Sequence, residues 1–348
     1  MPPEASGRPL GSHDTANTGL WDAVPRSWRG ALLRLSAALA LIVMVTMREW
    51  GEMLHQWWNI DTYNHILLVP FIVGWLFWLK FDELMTFAPR ASAWGLALVG
   101  AGLALWCAGR ITGINLFAQA GAVGALQGAL VAILGVRVCW FLALPVAFLA
   151  FLVPFGDEII PFLQMITAEM SIALTHWSGV PAQIDGIYID TPAGLFIVAE
   201  ECSGVKFLIA MVTLATLIAF TRFQSWKRRA VLMVAAVLIP VLANGVRAWG
   251  TIYIAQFAGV EFAEGFDHVV YGWFFFALVV AMVLAGAWRF FEREPEEYGF
   301  TSDEVAAQRW LDRFETGSES AAVILAGLAA LALVAALLVS ILAPISLS

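Results

Sequence analysis

The sequence is poor in charge and in cysteine. Only 13% of its 348 residues are charged, and 61% are hydrophobic, which is well above the apolar share of a soluble domain. Its three cysteines are scattered, so their spacing indicates neither a disulfide framework nor a metal-ligand set. It also lacks a phosphate-binding loop, an HExxH zinc motif and a serine nucleophile elbow. We therefore predict no cofactor, no metal ion and no nucleic-acid partner.

The sequence contains instead a series of long apolar segments. Several of them have about 18 or more residues, enough to cross a hydrocarbon core of about 30 Å. We predict an all-α polytopic membrane protein with about eight core transmembrane helices and a C-terminal ninth. The nine predicted spans are Ala31–Met47, Ile66–Leu79, Ala93–Ala108, Leu116–Leu134, Val138–Val153, Cys202–Phe220, Ala230–Ile252, Val269–Trp288 and Ala321–Leu342.

Four regions follow from this pattern. Residues 1–30 are polar and rich in Gly, Pro, Ser and Thr, which is typical of a disordered tail, and we place it in the cytoplasm. Residues 31–290 form the membrane core. Residues 291–320 are charged and are predicted to be a cytoplasmic linker, and residues 321–343 form an additional transmembrane helix.

The positions of lysine and arginine predict the orientation. With the N-terminus in the cytoplasm, 15 of the 19 basic residues fall on the cytoplasmic side, which is a strong positive-inside bias. The four on the other side are Arg48, Arg110, Lys206 and Arg247.

The largest outer segment is the loop from Pro154 to Glu201. Its first half, Ile159–Trp177, has apolar residues at helical spacing and is predicted to lie in the membrane interface or to re-enter it. Its second half is rich in β-formers around Asp190–Gly194 and is predicted to form a small hairpin before the sixth helix. This extracytoplasmic helix and β-hairpin would deliver Cys202 to the membrane surface.

Three reactive side chains are predicted to meet at the outer surface. Cys202 opens a helix that runs inward, and His268 begins another. Arg247 lies 17 residues into an outward helix, and this corresponds to a rise of roughly 26 Å at 1.5 Å per residue. Cysteine, histidine and arginine fit acyl transfer, as nucleophile, proton shuttle and stabiliser of negative charge.

The surroundings of Cys202 affect its expected reactivity in both directions. A helix N-terminus and Lys206, at the i+4 position, favour the thiolate, and Gly204 allows close approach of a backbone. The adjacent Glu200 and Glu201 oppose it.

Each of the three residues also has a structural explanation. The cysteine fits ordinary packing, the arginine fits a side chain that snorkels to the interface, and the histidine fits a helix cap. A transporter or a non-catalytic component of polysaccharide export is the alternative function. A transporter site, however, lies near the bilayer midplane, whereas these polar residues gather at one surface.

Several short motifs resemble those of the exosortase/archaeosortase membrane transpeptidases, most nearly the exosortase A type. They are Glu201-Cys202-Ser203-Gly204, Asn244 through Arg247, Phe266-Asp267-His268 followed by Gly272, and Tyr63-Asn64-His65-Ile66-Leu67-Leu68-Val69-Pro70. The resemblance covers about residues 30–290. Family members more often have Ser-His-Gly where this chain has Asn64-His65-Ile66.

The resemblance implies a cysteine protease and transpeptidase of the bacterial inner membrane, linked to exopolysaccharide production. It implies exported partner proteins with a C-terminal PEP-CTERM signal: a Pro-Glu-Pro motif, one transmembrane helix and a basic tail. Cleavage would take place at the periplasmic face, with membrane lipids around the protein and an unidentified acyl acceptor. The implied catalytic residues are Cys202, Arg247 and His268. The supporting candidates are Glu201, Ser203, Gly204, Lys206, Asn244, Asp267, Tyr63 and His65.

Overall fold

The computed structural model describes residues 24–262, 274–315 and 320–343. Eight of its helices are long and apolar enough to cross a membrane, and the architecture is all-α apart from one small sheet. The predicted fold class is thereby confirmed. The principal helices are α1 (Arg26–Val45), α2 (Met47–Asn59), α3 (Val69–Leu79), α4 (Ala93–Thr112), α5 (Asn115–Leu134), α6 (Val136–Phe141), α7 (Ala143–Phe148), α8 (Ile160–Trp177), α9 (Val205–Arg222), α10 (Trp226–Ala258), α11 (Phe276–Trp288) and α12 (Ala321–Leu342).

Shorter helical segments join these helices. The one-turn α-helices are Phe81–Leu84, Ser302–Ala307 and Asp312–Glu315, and the 3₁₀ segments are Asp61–Leu68, Leu149–Leu152, Asp157–Ile159, Glu200–Cys202, Pro295–Glu297 and Arg309–Leu311. Helix α2 was not predicted. It is amphipathic, with Met53 and Trp57 buried and Arg48, His55 and Asn59 exposed.

The predicted fifth span is interrupted rather than continuous. It consists of α6, α7 and the 3₁₀ segment Leu149–Leu152, with a break at Leu142. Pro145 explains the break, because its ring clashes with the carbonyl of the residue four positions earlier, which here is Phe141. The first five of the twenty residues of the predicted eighth span, 269–273, lie outside the described residues, and α11 forms its last thirteen.

Helices α4 and α5 pack backbone against backbone. A Cβ atom on Gly95, Gly102 or Gly109 of α4 would lie 2.0–2.4 Å from a backbone nitrogen of α5, and Gly121 and Gly128 meet α4 in the same way. The three glycines of α4 recur every seven residues, so they form one face of the helix. Small residues allow such close approach in membranes, where packing contacts drive association. Helices α1 and α12 pack against this pair, and their buried residues there include Ile42 and Leu328.

The predicted hairpin is a three-stranded antiparallel sheet. Its strands are β1 (Gln183–Asp185), β2 (Tyr188–Thr191) and β3 (Gly194–Ile197), in the order β1-β2-β3. The hairpin prediction was wrong by one strand, because Gly186, with φ of 61°, makes an additional tight turn within the segment predicted as one strand. One face packs on α8 and α10 through Ile189, which is fully buried.

The charged segment after α11 packs closely against the ends of several helices. The guanidinium of Arg293 donates to the carbonyls of Phe220 and Thr221 at the end of α9. Tyr298 is 1% exposed, and its hydroxyl donates to the carbonyl of Leu76 in α3 at 2.7 Å. Residues 293–298 therefore hold the ends of α3 and α9 together, in a stretch predicted to be a linker.

Candidate active site

Cys202 lies in a 3₁₀ turn just before helix α9. The turn covers Glu200–Cys202, and the cysteine amide donates to the carbonyl of Ala199 at 2.9 Å. The prediction that Cys202 opens the helix was wrong by three residues, since α9 begins at Val205. The interruption is Gly204, whose left-handed φ of 80° is strained for residues with a Cβ atom. Cys202 is partly exposed, as an attacking thiol must be.

The side chain of Asn244 fills the space that a side chain at Gly204 would need. A Cβ atom at Gly204 would lie 2.7 Å from Cγ of Asn244, so only glycine allows the amide to sit there. Asn244 is 4% exposed, and its Nδ2 donates to the carbonyl of Cys202 at 2.8 Å and to Oγ1 of Thr167 at 3.0 Å. One buried amide on α10 thereby fixes the backbone of the turn that carries the thiol.

Helix α8 supports the same region from the other side. Gln164 donates through Nε2 to the carbonyl of Val198 at 2.8 Å, which fixes the chain between β3 and the cysteine turn. Thr167 accepts from Asn244, and Ser178, directly after the helix, accepts from the indole of Trp249 at 2.8 Å. Helix α8 thus contacts both the cysteine loop and the arginine-bearing helix.

Arg247 and Cys202 line one small cleft. The cleft has a volume of about 70 Å³ and is otherwise mostly apolar, with walls from β2, β3 and α10. Arg247 is 9% exposed and lies one turn after Asn244 on α10. A buried guanidinium keeps its charge, so the cleft places a permanent cation in the same space as the thiol.

Lys206 does not share a helix face with Cys202. The i+4 relation requires a continuous helix, and Gly204 interrupts it. The Lys206 ammonium instead lies 5.2 Å from the ring centroid of Phe207. Ser203 is buried, and its hydroxyl accepts from the amide of Val205 at 3.4 Å, so it helps to begin the helix. Glu201 is exposed beside the cysteine.

Tyr63 and His65 have structural partners. The Tyr63 hydroxyl donates to Oδ1 of Asp157 at 2.5 Å, which connects the segment before α3 to the loop before α8. Gly156 in that loop lies against the start of α9. A Cβ atom at Gly156 would be 2.3 Å from Cδ1 of Ile209 and 3.2 Å from Cγ2 of Val205. His65 Nδ1 lies 3.0 Å from the carbonyl of Thr62, a contact within its own 3₁₀ segment. Neither residue is among those that line the cleft of Cys202 and Arg247 in the described part of the chain.

The third predicted member of the site lies outside the described residues. His268 and its neighbour Asp267 fall between residues 263 and 273. The structure thus brings Cys202, Arg247 and Asn244 together and leaves the position of His268 as a prediction.

The sequence interpretation missed the contribution of α8. Its buried polar residues, Gln164, Thr167, Ser171 and Thr175, recur at intervals of three or four residues. Such spacing puts them on one helix face. A polar stripe on an otherwise apolar helix is a signal that the stripe faces protein rather than lipid, and it was available from the sequence.

Comparison with known proteins gives one match. The family model described as transmembrane exosortase (EpsH type) matches residues 57–285, a range that contains Cys202, Arg247 and His268. No curated protein and no solved structure matches the chain. The family comprises membrane transpeptidases that act on proteins with sorting signals. The match covers well over half of the chain, so this multi-pass membrane protein belongs to the transmembrane exosortase family.

Proposed function

We propose that the protein is a cysteine transpeptidase that cleaves PEP-CTERM signals at the periplasmic face of the inner membrane. The observation that carries this proposal is the shared cleft of Cys202 and Arg247. A cysteine that served only for packing would not require the buried guanidinium of Arg247 in the same cleft, nor the buried amide of Asn244 bonded to its carbonyl. The expected cellular role is protein sorting linked to exopolysaccharide.

The reaction has two steps. The Cys202 thiolate attacks the scissile carbonyl carbon, and the carbonyl oxygen becomes an oxyanion, which Arg247 stabilises. The tetrahedral species collapses to a thioester as the C–N bond breaks, and the leaving amine takes a proton from His268. An acceptor nucleophile then gives its proton to His268 and attacks the thioester, which releases the thiolate.

Cys202→Ala is the direct test. The variant removes the nucleophile without adding bulk to a partly exposed turn, so we expect normal membrane insertion and melting temperature. Cleavage of a co-expressed protein with the tripartite PEP-CTERM tail should fall at least a thousandfold, as when a catalytic nucleophile is lost. Shortening of the tailed protein is read on immunoblots, with uncleavable tail variants as the size reference.

A control variant and a measurement of polysaccharide export separate the alternatives. Cys107→Ala removes a buried thiol whose Sγ donates to the carbonyl of Ala335 at 3.6 Å, so it should leave cleavage intact. If Cys202→Ala still shortens the tailed protein at the wild-type rate, the cysteine mechanism is wrong. If the protein is instead a non-catalytic component of polysaccharide export, cells with Cys202→Ala should export as much polysaccharide as cells with the wild-type protein.

A further inference from the structure

Strand β3 is an edge strand of the sheet, and no strand among the described residues pairs with its outer side. Val198 N–H donates to the carbonyl of Ile187 at 3.0 Å, so this opposed pair occupies a hydrogen-bonded position of the ladder. Hydrogen-bonded and non-hydrogen-bonded pairs alternate along an antiparallel ladder. With the observed register, the backbone N–H and C=O groups of Gly194 and Phe196 point toward β2. The backbone groups of Leu195 and Ile197 point away from it. We call the backbone side of Leu195 and Ile197 the free edge of β3.

Three polar groups on the free edge have no hydrogen-bond partner among the described residues. They are the N–H and C=O of Leu195 and the N–H of Ile197. The carbonyl of Ile197 is different, because it accepts from the amide of Ala199 at 3.0 Å. Both side chains are exposed, Leu195 at 60% and Ile197 at 53%. Such a row of backbone donors and acceptors is a template for an added strand.

The free edge leads to the cysteine. The bond from Ala199 N–H to the Ile197 carbonyl closes a three-residue turn at Val198, and this bends the following chain toward the free edge. The 3₁₀ turn with Cys202 begins at the next residue, Glu200. Because neighbouring strands lie about 4.8 Å apart, a chain paired with β3 would run directly into the turn that carries the thiol.

The cleft beside β3 adds a preference for one side chain. Successive side chains of a strand point to opposite faces, so every second residue of an added strand would face α10. On that face lies the cleft of about 70 Å³, lined by Phe196 and Val198 together with Cys202 and Arg247. Its size and apolar walls suit a small apolar side chain.

We propose that the extended segment of the substrate that carries the scissile bond binds as a fourth strand on the free edge of β3. The proposal rests on the proposed function, since it names how the substrate of that site is held. Backbone pairing supplies the binding energy, and the small cleft selects the side chain next to the bond that Cys202 attacks. A lipid is a poorer occupant, because acyl chains cannot satisfy three regularly placed backbone groups.

A methylation scan of the substrate tests the pairing directly. The substrate is a synthetic sorting peptide with its transmembrane helix, reconstituted with the enzyme in vesicles of phosphatidylethanolamine and phosphatidylglycerol. Each backbone nitrogen near the cleavage site is N-methylated in turn, and cleavage is followed by mass spectrometry. We expect every second methyl group to lower the cleavage rate about tenfold, because alternate N–H groups face β3. The methyl groups between them should have little effect.

The opposite results are informative in different ways. If sensitivity shows no period of two residues although the unmethylated peptide is cleaved, the substrate does not pair with β3. Absence of Cys202-dependent cleavage in both assays contradicts the proposed function itself.

Leu195→Pro provides the matching test on the enzyme. Proline removes an N–H of the free edge and none of the bonds to β2, and edge strands tolerate it. We expect KM for the tailed substrate to rise about tenfold, whereas Leu195→Val, which keeps the N–H, stays near wild type. The rate of Cys202 alkylation by a small maleimide should be equal in both variants, which shows that the turn is intact. Equal KM in the two variants would overturn the proposal.

Discussion

Asn244 connects three parts of the protein through one side-chain amide. From helix α10 it donates hydrogen bonds to the cysteine turn and to helix α8, and it packs against Gly204, where a Cβ atom would overlap with it. Each buried hydrogen bond contributes about 0.5–1.5 kcal/mol net, and an abandoned buried partner costs more. The asparagine and the glycine should therefore behave as one energetic unit.

A double-mutant cycle between Gly204 and Asn244 checks this coupling. Gly204→Ala should lower the free energy of unfolding by about 2–4 kcal/mol, because left-handed strain of about 1–2 kcal/mol adds to overlap with Asn244. In an Asn244→Ala background the contacts at 2.7 Å with Cγ and 2.9 Å with Nδ2 disappear and only the Cβ atom of residue 244, at 3.0 Å, remains, so the same change should cost little more than the strain. Denaturant unfolding in detergent micelles gives the four values.

Gly179 supplies the control for strain alone. It has the same φ of 80°, and a Cβ atom there would meet nothing within 4 Å. Gly179→Ala should therefore cost only about 1–2 kcal/mol. If Gly204→Ala costs no more than Gly179→Ala, Asn244 does not constrain the turn.

At the scale of secondary structure, the α4–α5 pair shows which parts of the fold follow from sequence. Helix α5 is rich in glycine and alanine, which is typical of packing faces in membranes, and its backbone does lie against that of α4. The interruption of the fifth span was missed because the span was assigned from its run of apolar residues alone, although Pro145 within it is a signal for a helix break. The start of α9 was missed because Gly204 was interpreted as a point of close approach rather than as a left-handed residue.

Glycine-to-alanine changes on α4 test this packing. Gly102→Ala puts a Cβ atom 2.4 Å from the Ala125 nitrogen, so α4 and α5 must separate. We expect the free energy of unfolding to fall by about 1–3 kcal/mol, as for other overpacked positions. Gly100 lies on the same helix, but a Cβ atom there would be 4.0 Å from the nearest atoms, which belong to the side chain of Leu331. Gly100→Ala should be neutral or stabilising, because alanine is the better helix former; equal losses in both variants would contradict the packing argument.

Over the whole molecule, the orientation argument placed Cys202 and Arg247 at one depth, and the structure has them in one cleft. That much followed from helix lengths and the distribution of basic residues. The packing of residues 291–315 did not follow, because a charged sequence indicates solvation unless its partners are known. Its buried members, Arg293 and Tyr298, bond to backbone carbonyls of distant helices, and no sequence pattern identifies such partners.

The same segment gives the protein a stability that depends on pH. Oε2 of Glu292 accepts from the amides of Gln224 and Ser225 at the start of α10, and its carboxylate pairs with Arg228. The backbone hydrogen bond from Ser225, with that from Gln224 and the nearby arginines, holds the pKa of Glu292 below its ordinary value. The resulting stabilisation is complete above the ordinary glutamate pKa of about 4.3. It is lost as the pH falls through the lowered pKa.

Glu292→Gln isolates this effect. The amide keeps an acceptor oxygen but cannot titrate, so its melting temperature should change less between about pH 6 and pH 3 than that of the wild type. Calorimetry on micelles at several pH values provides the measurement. Glu296→Gln on the same segment is the control and should follow the wild-type curve. Parallel curves for Glu292→Gln and wild type would show that the carboxylate does not stabilise the α9–α10 junction.

The contacts of residues 293–298 also set an order of events during synthesis. Helices α3 and α9 end at carbonyls whose hydrogen-bond partners are Tyr298 and Arg293, residues that leave the ribosome only after most of the membrane core has been made. Helix α12, the last of the described helices, packs on α1 and α4 from earlier in the chain. Helices α3 and α9 are therefore synthesised before the residues that bond to their terminal carbonyls. Premature termination just before Arg293 would leave a chain that still contains Cys202 and Arg247 but lacks the hydrogen bonds that hold the ends of these two helices together.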